Sequence, residues 1–459
     1  MEKKRGTFSG GLGFVLAAAS SAIGLGNLWR FPYLAAQYGG GIFILVYIIL
    51  ALTFGFALMT TEIAIGRKTK KSPIVAYRKI SEKFTFVGYL AALVPTIILP
   101  YYCVIGGWVL RYIFVYVQGL TTEAATDSFF GGFIGDTFSP LFYFLIFLIL
   151  TTLVVIAGVE KGIEKASKIL MPILLVIIIG ISVYIMFIPG TLEGIRYYLV
   201  PAFDKFSFKT VCAAMGQMFF SLSLAMGIMV TYGSYIKDDV SLTKSVNQIE
   251  IFDTVVALLA GFLVIPIVYA FSGEAGLTAN GPGLMFVSLP KIFAQMAGGR
   301  IMGLAFFMLV LFTAVTSSVS VMEAIVSSLM DRFKLSRGKA CAITIIVSII
   351  LGVPSSMGNG AWANIKILGM DFLSFFDYLS NSVLMPLVAL GTSIMIGWVV
   401  GTKTVTDEVT RNGEKFGRKK LYEFHDQICI TGITDHYFSG IFLSTVWIYQ
   451  DVKDKKNST

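Results

Sequence analysis

Several polar side chains that could bind a cation lie in strongly apolar stretches of the sequence. Thr313, Thr316, Ser317 and Ser318 occur together in FTAVTSSVSVMEA. Their hydroxyl oxygens are hard ligands that suit a small cation, but a helical Ser or Thr also bonds back to a carbonyl three or four residues earlier. Asp253 lies in IEIFDTVVALLAG, where an acid is costly within a membrane and by default functional. Asp253 could neutralise a bound cation or carry a proton.

The stretch 17–32, AAASSAIGLGNLWRFP, is a poor place for a regular helix. Gly24 and Gly26 each cost roughly 1 kcal/mol against alanine in a helix interior, and Pro32 has no N–H to donate. In lipid, freed backbone groups are tolerated only where protein or a water-filled cavity satisfies them. A break here predicts carbonyls and amides that bind a cation and a carboxylate. The alternative is a helix crossing packed on glycine.

A second weak stretch, Ser221 to Gly227, has the sequence SLSLAMG and lies in the sixth apolar segment. It comes five segments after the first break, so the two helices would run in opposite directions across a bilayer. Paired interrupted helices in inverted halves indicate a midplane binding site in secondary transporters. The pairing therefore favours a transporter over a simple helix crossing.

The composition predicts an all-α polytopic membrane protein. Of the 459 residues, 56% are hydrophobic and only 14% are charged, and apolar runs of about 20 residues, enough to cross a bilayer, recur along the chain. We place ten spans near 10–35, 40–66, 87–118, 139–158, 167–189, 212–235, 248–272, 300–329, 340–355 and 371–400. Segment 273–299 is either a re-entrant cap or a surface helix, and 427–449 is a candidate eleventh span that contains Asp435.

The net charge of +9 is concentrated in alternate loops, at 67–83, 161–168, 237–244, 332–339 and 403–420. By the positive-inside rule, these loops and the N-terminus are cytoplasmic and the protein resides in the cell membrane. The charge thus indicates topology and not nucleic-acid binding. Both histidines, His425 and His436, lie in the C-terminal tail, which excludes a histidine-based centre within the spans. Since the spans also lack paired carboxylates or a nucleophile–base pair, we predict that the protein is not an enzyme.

Two pairs of opposite charges fall at the two ends of the predicted spans. Arg30 and Asp377 lie near the outer ends, and Arg5 and Asp331 lie on the inner side. Such pairs would suit two gates that open alternately. Glu62 is expected to accept backbone hydrogen bonds from a broken helix.

The motifs AIGLGNLWRFP, GGGIFILVY and TEIAIGR closely resemble the first two helices of the neurotransmitter:sodium symporter family, and in particular its bacterial amino-acid transporters. The resemblance continues through PYYCVIGGW, GVEKGIEKASKILMP, GQMFFSLSLAMG and TSSVSVMEA, and covers residues 5–400. It implies two inverted five-helix repeats with discontinuous first and sixth helices. The repeats would be about 10–189 and 212–400 of a 1–400 core. Residues 401–459 would form a cytoplasmic segment and an uncertain eleventh membrane segment, and we transfer no family role to them.

The resemblance also implies a set of ligands for two sodium ions. The first site would use Ala22, Asn27, Ser221, Asp253 and the substrate carboxylate. The second would use the carbonyls of Ser20, Ile23 and Thr313 and the hydroxyls of Thr316 and Ser317. Arg30–Asp377 resembles the family's outer gate and Arg5–Asp331 its inner gate.

The implied substrate is an amino acid held by its two charged groups. Its carboxylate would meet Tyr102 and the amides of Leu25 and Gly26, and its ammonium the carbonyls of Ala22 and Phe220 and the group at Ser223. The complete set implied to bind the substrate is Ser21, Ala22, Leu25, Gly26, Ile98, Tyr102, Phe220, Ser221, Ser223, Met226, Ser317 and Val321.

Two departures from the family sharpen the prediction. Animal members bind chloride near a serine of the seventh helix, but the matching position here is Ala257, and Asp253 supplies a negative charge nearby. We therefore predict that chloride is not required. The pliable Met226, with Val321 and Ser21, predicts a roomy pocket for a large hydrophobic or aromatic side chain.

The predicted function is sodium-coupled uptake of a neutral L-amino acid by alternating access, with sodium ions, the amino acid and the lipid bilayer as partners. The sequence makes no prediction about oligomeric state. The alternatives are a proton-coupled amino-acid permease of the same architecture, in which Asp253 carries the proton, and an amino-acid sensor that does not transport. Each would keep the same broken helices.

Overall fold

The computed structural model describes residues 6–277 and 282–425, and helices dominate these ranges without any β-strand. Eight of the helices are long and apolar enough to cross a membrane, and one bent pair passes the same test together. A second broken helix, Phe208–Ser221 with Ile228–Gly233, completes a set of ten. They are α1 (Gly11–Ala22 and Gly26–Gln37), α2 (Gly41–Thr69), α3 (Glu82–Gln118), α4 (Ser139–Ile156), α5 (Val159–Ile185), α6 (Phe208–Ser221 and Ile228–Gly233), α7 (Leu242–Gly276), α8 (Gly299–Phe333), α9 (Arg337–Met357) and α10 (Phe372–Val400). The predicted all-α polytopic class is confirmed.

Both predicted breaks are present. The first half of α1 ends at Ala22, and the second half begins at Gly26 and is bent from the first by 44°. In α6, the helix stops at Ser221 and resumes at Ile228. Ser223 and Ala225 have φ angles of 53° and 58°, a left-handed conformation that residues with a side chain rarely adopt. The backbone of α6 therefore leaves the helix completely before it starts again.

The break in α6 is held by a buried carboxylate from α2. The Glu62 side chain is fully buried and accepts a hydrogen bond from the Ala225 amide at 2.8 Å. The sequence-based prediction for Glu62 agrees with this contact. Glycine is required at the end of the break, because Gly227 has a φ of 70° and a Cβ there would lie 2.6 Å from Pro73.

Replacing Glu62 with alanine is expected to lower the thermal stability of the protein. The substitution leaves the buried Ala225 N–H without an acceptor, which costs about 1–3 kcal/mol. Glu62→Gln keeps an acceptor oxygen and should retain most of the stability. Thermal unfolding of the purified protein in detergent checks both variants, and equal unfolding temperatures for the two would contradict the assigned role.

Most helices extend beyond their predicted apolar spans at the face that carries the basic loops, which we call the basic face. The fifth helix begins at Val159 and not near residue 167. Glu164 lies in this extra stretch, yet it is only 1% exposed because it accepts hydrogen bonds from Ser9 and pairs with Lys168. Hydropathy places such charged residues in loops, whereas here tertiary contacts bury them in a helix.

Two segments outside the ten helices also pack against the protein. The short helix Leu284–Gln295 buries Phe286, whose ring stacks with that of Phe130 at 5.1 Å between centroids, so this helix is not a detached surface helix. After α10, helices α11 (Lys403–Val409) and α12 (Lys419–Phe424) lie at the basic face. The candidate eleventh span 427–449 falls outside the described residues, and the division of the chain at residue 400 stays a prediction.

Candidate functional site

The two breaks face a buried carboxylate. Asp253 of α7 is fully buried, and its oxygens accept hydrogen bonds from Asn27 Nδ2 at 2.8 Å, Tyr47 Oη at 2.9 Å and Ser221 Oγ at 2.8 Å. Asn27 Oδ1 in turn accepts from the Gly24 amide at 3.2 Å. Four helices thus contribute to one cluster, in which a formal negative charge lies beside hydroxyl and amide oxygens. These are the ligand types that a hard cation prefers.

A small cavity of about 20 Å³ lies between the two breaks. Its lining is Ser21, Ala22, Gly24, Gly26, Ile98, Tyr102, Phe220, Ser223, Met226, Ser317 and Val321. Ten of the twelve residues predicted to bind substrate are in this lining. Of the other two, Leu25 lines a neighbouring cavity and Ser221 bonds to Asp253. The expectation of a roomy pocket does not hold for this conformation, because 20 Å³ accommodates about one water molecule.

The break in α1 presents backbone groups in and next to this cavity. Tyr102 Oη accepts a hydrogen bond from the Leu25 amide at 3.1 Å. Gln217 Nε2 donates to the Gly26 carbonyl at 2.9 Å. Ser223 Oγ donates to the Ser21 carbonyl at 3.1 Å and so links the two breaks directly. The lining therefore offers amides and a hydroxyl for an anionic group, and carbonyls for a cationic one.

The hydroxyl cluster of α8 divides into two kinds of residue. Thr313, Thr316 and Ser318 donate to carbonyls of their own helix, as the simpler interpretation of the sequence requires. Ser317 instead reaches across to α1 and donates to the carbonyls of Ser21 at 2.9 Å and Ile23 at 3.3 Å. The predicted ligands Ser317 and Ile23 are thus in direct contact, and Thr316 donates to the Thr313 carbonyl within α8.

The remaining member of that predicted set is the Ser20 carbonyl, and its role stays a prediction. The Ser20 side chain makes a separate contact. Its hydroxyl donates to the Ala17 carbonyl at 3.0 Å and lies 2.7 Å from Ser167 Oγ of α5. Both serines are buried, so the hydroxyl pair joins the first half of α1 to α5.

Three contributors to the site were missed by sequence reasoning. Gly24 lines the small cavity, Tyr47 bonds to both Asp253 and Ser221, and Gln217 holds the Gly26 carbonyl. Tyr47 is the most informative of them. A tyrosine inside the apolar run GGGIFILVY must place its hydroxyl somewhere, and buried tyrosines usually find a partner.

A wider cavity of about 320 Å³ lies on the side of the site away from the basic face. Arg30 and Asp377, the predicted outer gate, both line it, together with Leu25, Tyr102 and Phe220. Arg30 lies 5.6 Å above the Phe220 ring, and Asp377 accepts a hydrogen bond from Asn381 at 2.6 Å. Because Tyr102 and Phe220 line both cavities, these two side chains separate them.

The opposite side of the site is densely packed. Phe8 is buried against Tyr232, with 5.5 Å between ring centroids, and its amide donates to the Tyr235 carbonyl. Asp331, the predicted inner-gate acid, accepts from the Ser72 amide at 2.7 Å and lies 3.7 Å from Lys71 Nζ. Its predicted partner Arg5 lies outside the described residues. This conformation is therefore closed towards the basic face.

Comparison with known proteins decides the family. The model of the sodium:neurotransmitter symporter family matches residues 5–129 and 134–457. A sodium-dependent transporter of Haemophilus influenzae is 34% identical over 414 residues, which are 87% of this chain and 90% of that protein. The chain belongs to the sodium:neurotransmitter symporter family. It is a sodium-dependent symporter and a multi-pass membrane protein.

A further transporter and a solved structure are also similar to this chain. The sodium- and chloride-dependent GABA transporter 2 of Rattus norvegicus is 26% identical over 449 residues, 86% of this chain and 73% of that protein. The crystal structure of MhsT in complex with L-phenylalanine matches with a TM-score of 0.87 and 34% identity. The match covers 96% of this chain and 100% of the MhsT chain. The fold of two inverted repeats with interrupted first and sixth helices follows from this match.

Proposed function

We propose that this symporter takes up a neutral, hydrophobic or aromatic L-amino acid with sodium by alternating access, across a cell membrane in which its N-terminus and basic face are cytoplasmic. The observation that carries the proposal is the small cavity between the breaks. The Tyr102 hydroxyl, which accepts from the Leu25 amide, lines it, and Phe220 in its lining directly precedes Ser221, which donates to Asp253. L-phenylalanine bound to MhsT, whose fold is so similar, supports the substrate class.

The two charged groups of an amino acid would meet complementary groups of the broken helices. Its carboxylate would lie against Tyr102 and the amides of Leu25 and Gly26, and its ammonium against the carbonyls of Ala22 and Phe220 and the Ser223 group. A first sodium ion would bind Ala22, Asn27, Ser221, Asp253 and the substrate carboxylate. Because the ion and the carboxylate touch, each would raise the affinity of the other.

A second sodium ion would bind the carbonyls of Ser20, Ile23 and Thr313 and the hydroxyls of Thr316 and Ser317. This ion would hold α8 against the end of the first α1 half, where Ser317 already donates to Ile23. Inward movement of each charge down a membrane potential supplies about 2.3 kcal/mol per 100 mV. Two ions would thus drive substantial accumulation.

The proposal requires the small cavity to enlarge when the substrate binds. An aromatic side chain needs more room than about 20 Å³. Met226 is flexible and Phe220 separates the small cavity from the wide one, so rearrangement of these two side chains would enlarge the pocket. We propose that Met226 and Val321 set the upper limit on substrate size.

Asp253 is proposed to take over the role that chloride has in animal members of the family. Its carboxylate already accepts from Tyr47, Ser221 and Asn27, and the nearby position 257 is a buried alanine. Replacing chloride with gluconate is therefore expected to leave uptake unchanged within twofold. Loss of uptake in gluconate would overturn this part of the proposal and leave sodium coupling untouched.

The test of the whole proposal is radiolabelled uptake into proteoliposomes with all twenty amino acids as substrates or competitors. An imposed sodium gradient at fixed pH should drive accumulation, and leucine, tyrosine, phenylalanine or tryptophan should compete best. Accumulation driven by a pH gradient without sodium would indicate a proton-coupled permease. Sodium-dependent binding without accumulation would indicate a sensor.

A further inference from the structure

The segment after α10 is attached to the basic face far more firmly than its polar sequence suggests. Between residues 401 and 425, Val405, Glu408, Val409 and Tyr422 are buried. Tyr422 Oη lies 2.9 Å from Thr61 Oγ1 of α2, and Phe416 packs 6.2 Å from Phe56 of the same helix. A solvated linker would leave such side chains exposed, so this segment has a defined docking surface.

Arg67 is the central anchor of the docked segment. The side chain is 1% exposed and lies near the end of α2. Its Nε donates to Glu408 Oε1 at 2.6 Å, its Nη2 to the Glu408 carbonyl, and its Nη1 to the Val240 carbonyl at 2.7 Å. One buried guanidinium therefore joins α2, α11 and the loop that follows α6. Removing one partner of such a pair leaves an uncompensated charge and is strongly destabilising.

Arg418, the residue immediately before α12, forms a second anchor. It makes a bidentate ion pair with Glu250 of α7, in which Nη2 lies 2.6 Å from Oε2 and Nη1 lies 3.3 Å from Oε1. Its Nη1 also donates to the Leu52 carbonyl of α2. Its guanidinium also lies 3.4 Å from the centroid of the Phe56 ring. Glu250 is only 2% exposed. Paired nitrogens on a carboxylate give geometric specificity as well as strength, so this contact fixes the position of α7 relative to α2.

The loop after α6 is bound at several further points. Asn412 Nδ2 donates to the Asp238 carbonyl at 2.6 Å, and Ser241 Oγ donates to Glu414 at 2.6 Å. Lys70, just beyond α2, pairs with the Asp238 carboxylate at 2.7 Å. This hydrogen bond lowers the pKa of Asp238.

We infer that residues 401–425 form a clamp that fastens the loop after α6 to α2 and α7, and that Arg67 and Arg418 are positioning residues for the transport cycle. The second half of α6, Ile228–Gly233, is only six residues long and leads directly into the clamped loop. An element so short has little rigidity of its own. The clamp would make it move as one body with α2 and α7, so that opening towards the basic face carries the α6 break with it.

This inference concerns the transport cycle and so rests in part on the proposed function, but the clamp itself can be tested without any substrate. We would compare Glu408→Ala and the milder Glu250→Gln with Glu423→Gln. Glu423 pairs with Lys419 within α12 and touches neither anchor, so it serves as the matched control. Hydrogen–deuterium exchange would be followed in the detergent-purified full chain, in peptides from 228–241 and from 401–425.

For Glu408→Ala and Glu250→Gln, amide exchange is expected to rise about tenfold in both segments, with the control unchanged. Faster exchange in 401–425 alone would overturn the clamp, because the segment would then be merely packed on the surface. Unchanged exchange in both segments would overturn it as well. If Glu408→Ala fails to fold, Glu250→Gln alone decides between these outcomes.

The positioning role has its own readout. In Glu250→Gln, sodium-dependent binding of L-phenylalanine should stay within twofold of wild type, whereas the maximal uptake rate in proteoliposomes should fall at least fivefold. Weakened binding with an unchanged maximal rate would contradict a role in the conformational change. If the wild-type chain does not bind L-phenylalanine, the proposed substrate class fails, and the exchange measurement still decides whether the clamp exists.

Discussion

Replacing Asp253 with asparagine is expected to weaken sodium binding at least 100-fold and to stop concentrative uptake. The substitution keeps the shape of the side chain but removes the negative charge, and it leaves one acceptor oxygen where the carboxylate has two for Asn27, Tyr47 and Ser221. Two unit charges 4 Å apart interact with about 4 kcal/mol at an effective dielectric constant of 20. Losing two-thirds of that interaction corresponds to roughly a 100-fold change in affinity.

Sodium titrations of L-phenylalanine binding to the purified protein would measure this loss. Asp239→Asn is a suitable control, because Asp239 is exposed in the loop between α6 and α7. The control should titrate like the wild type. A half-saturating sodium concentration for Asp253→Asn within threefold of the wild-type value would show that the carboxylate does not contact the ion.

The second large effect is expected from Gly24→Ala. A Cβ at this position would lie 2.5 Å from Ser317 Oγ and 3.0 Å from Tyr102 Oη. Neither group can retreat freely, since Ser317 donates to the Ser21 carbonyl and Tyr102 accepts from the Leu25 amide. We expect substrate binding to fall at least 100-fold, because the methyl group would displace both hydroxyls.

Gly180→Ala provides the matched comparison for this variant. Gly180 lies within α5, and a Cβ there would meet no heavy atom within 4 Å. Binding and uptake should be those of the wild type. The thermal unfolding temperatures of both variants show whether weaker binding comes from damage to the site or from loss of the fold. Near-normal binding by Gly24→Ala would contradict the assigned geometry of the break.

The breaks of both interrupted helices and the fold class could be predicted because each leaves a local signal. Gly24 and Gly26 are poor helix residues in an apolar run, and the hydroxyls of Ser221 and Ser223 mark the second break. The tertiary contacts around them leave weaker signals. Tyr47 resembles a packing residue, and only its distance to Asp253 assigns it to the site.

The clamp was harder still to foresee. Arg67 and Glu408 are separated by 341 residues, and each belongs to a basic or polar stretch typical of a solvated loop. Glu164 misled the placement of α5 for the same reason. In each case, a contact that buries the charge comes from a residue distant in the chain, Glu408 for Arg67 and Ser9 for Glu164, so hydropathy alone assigns the charge to water.

The left-handed residues Ser223 and Ala225 have a consequence for selectivity. The unwound stretch that contains them is tied to Glu62 through the Ala225 amide and to α1 through the Ser223 hydroxyl. A loop already fixed in this way is preorganised, and little conformational entropy is lost when it receives a ligand. For the proposed amino-acid substrate, the main-chain groups would therefore discriminate strictly against amine or acid analogues, while the adjustable Met226 and Phe220 would leave tolerance for different side chains.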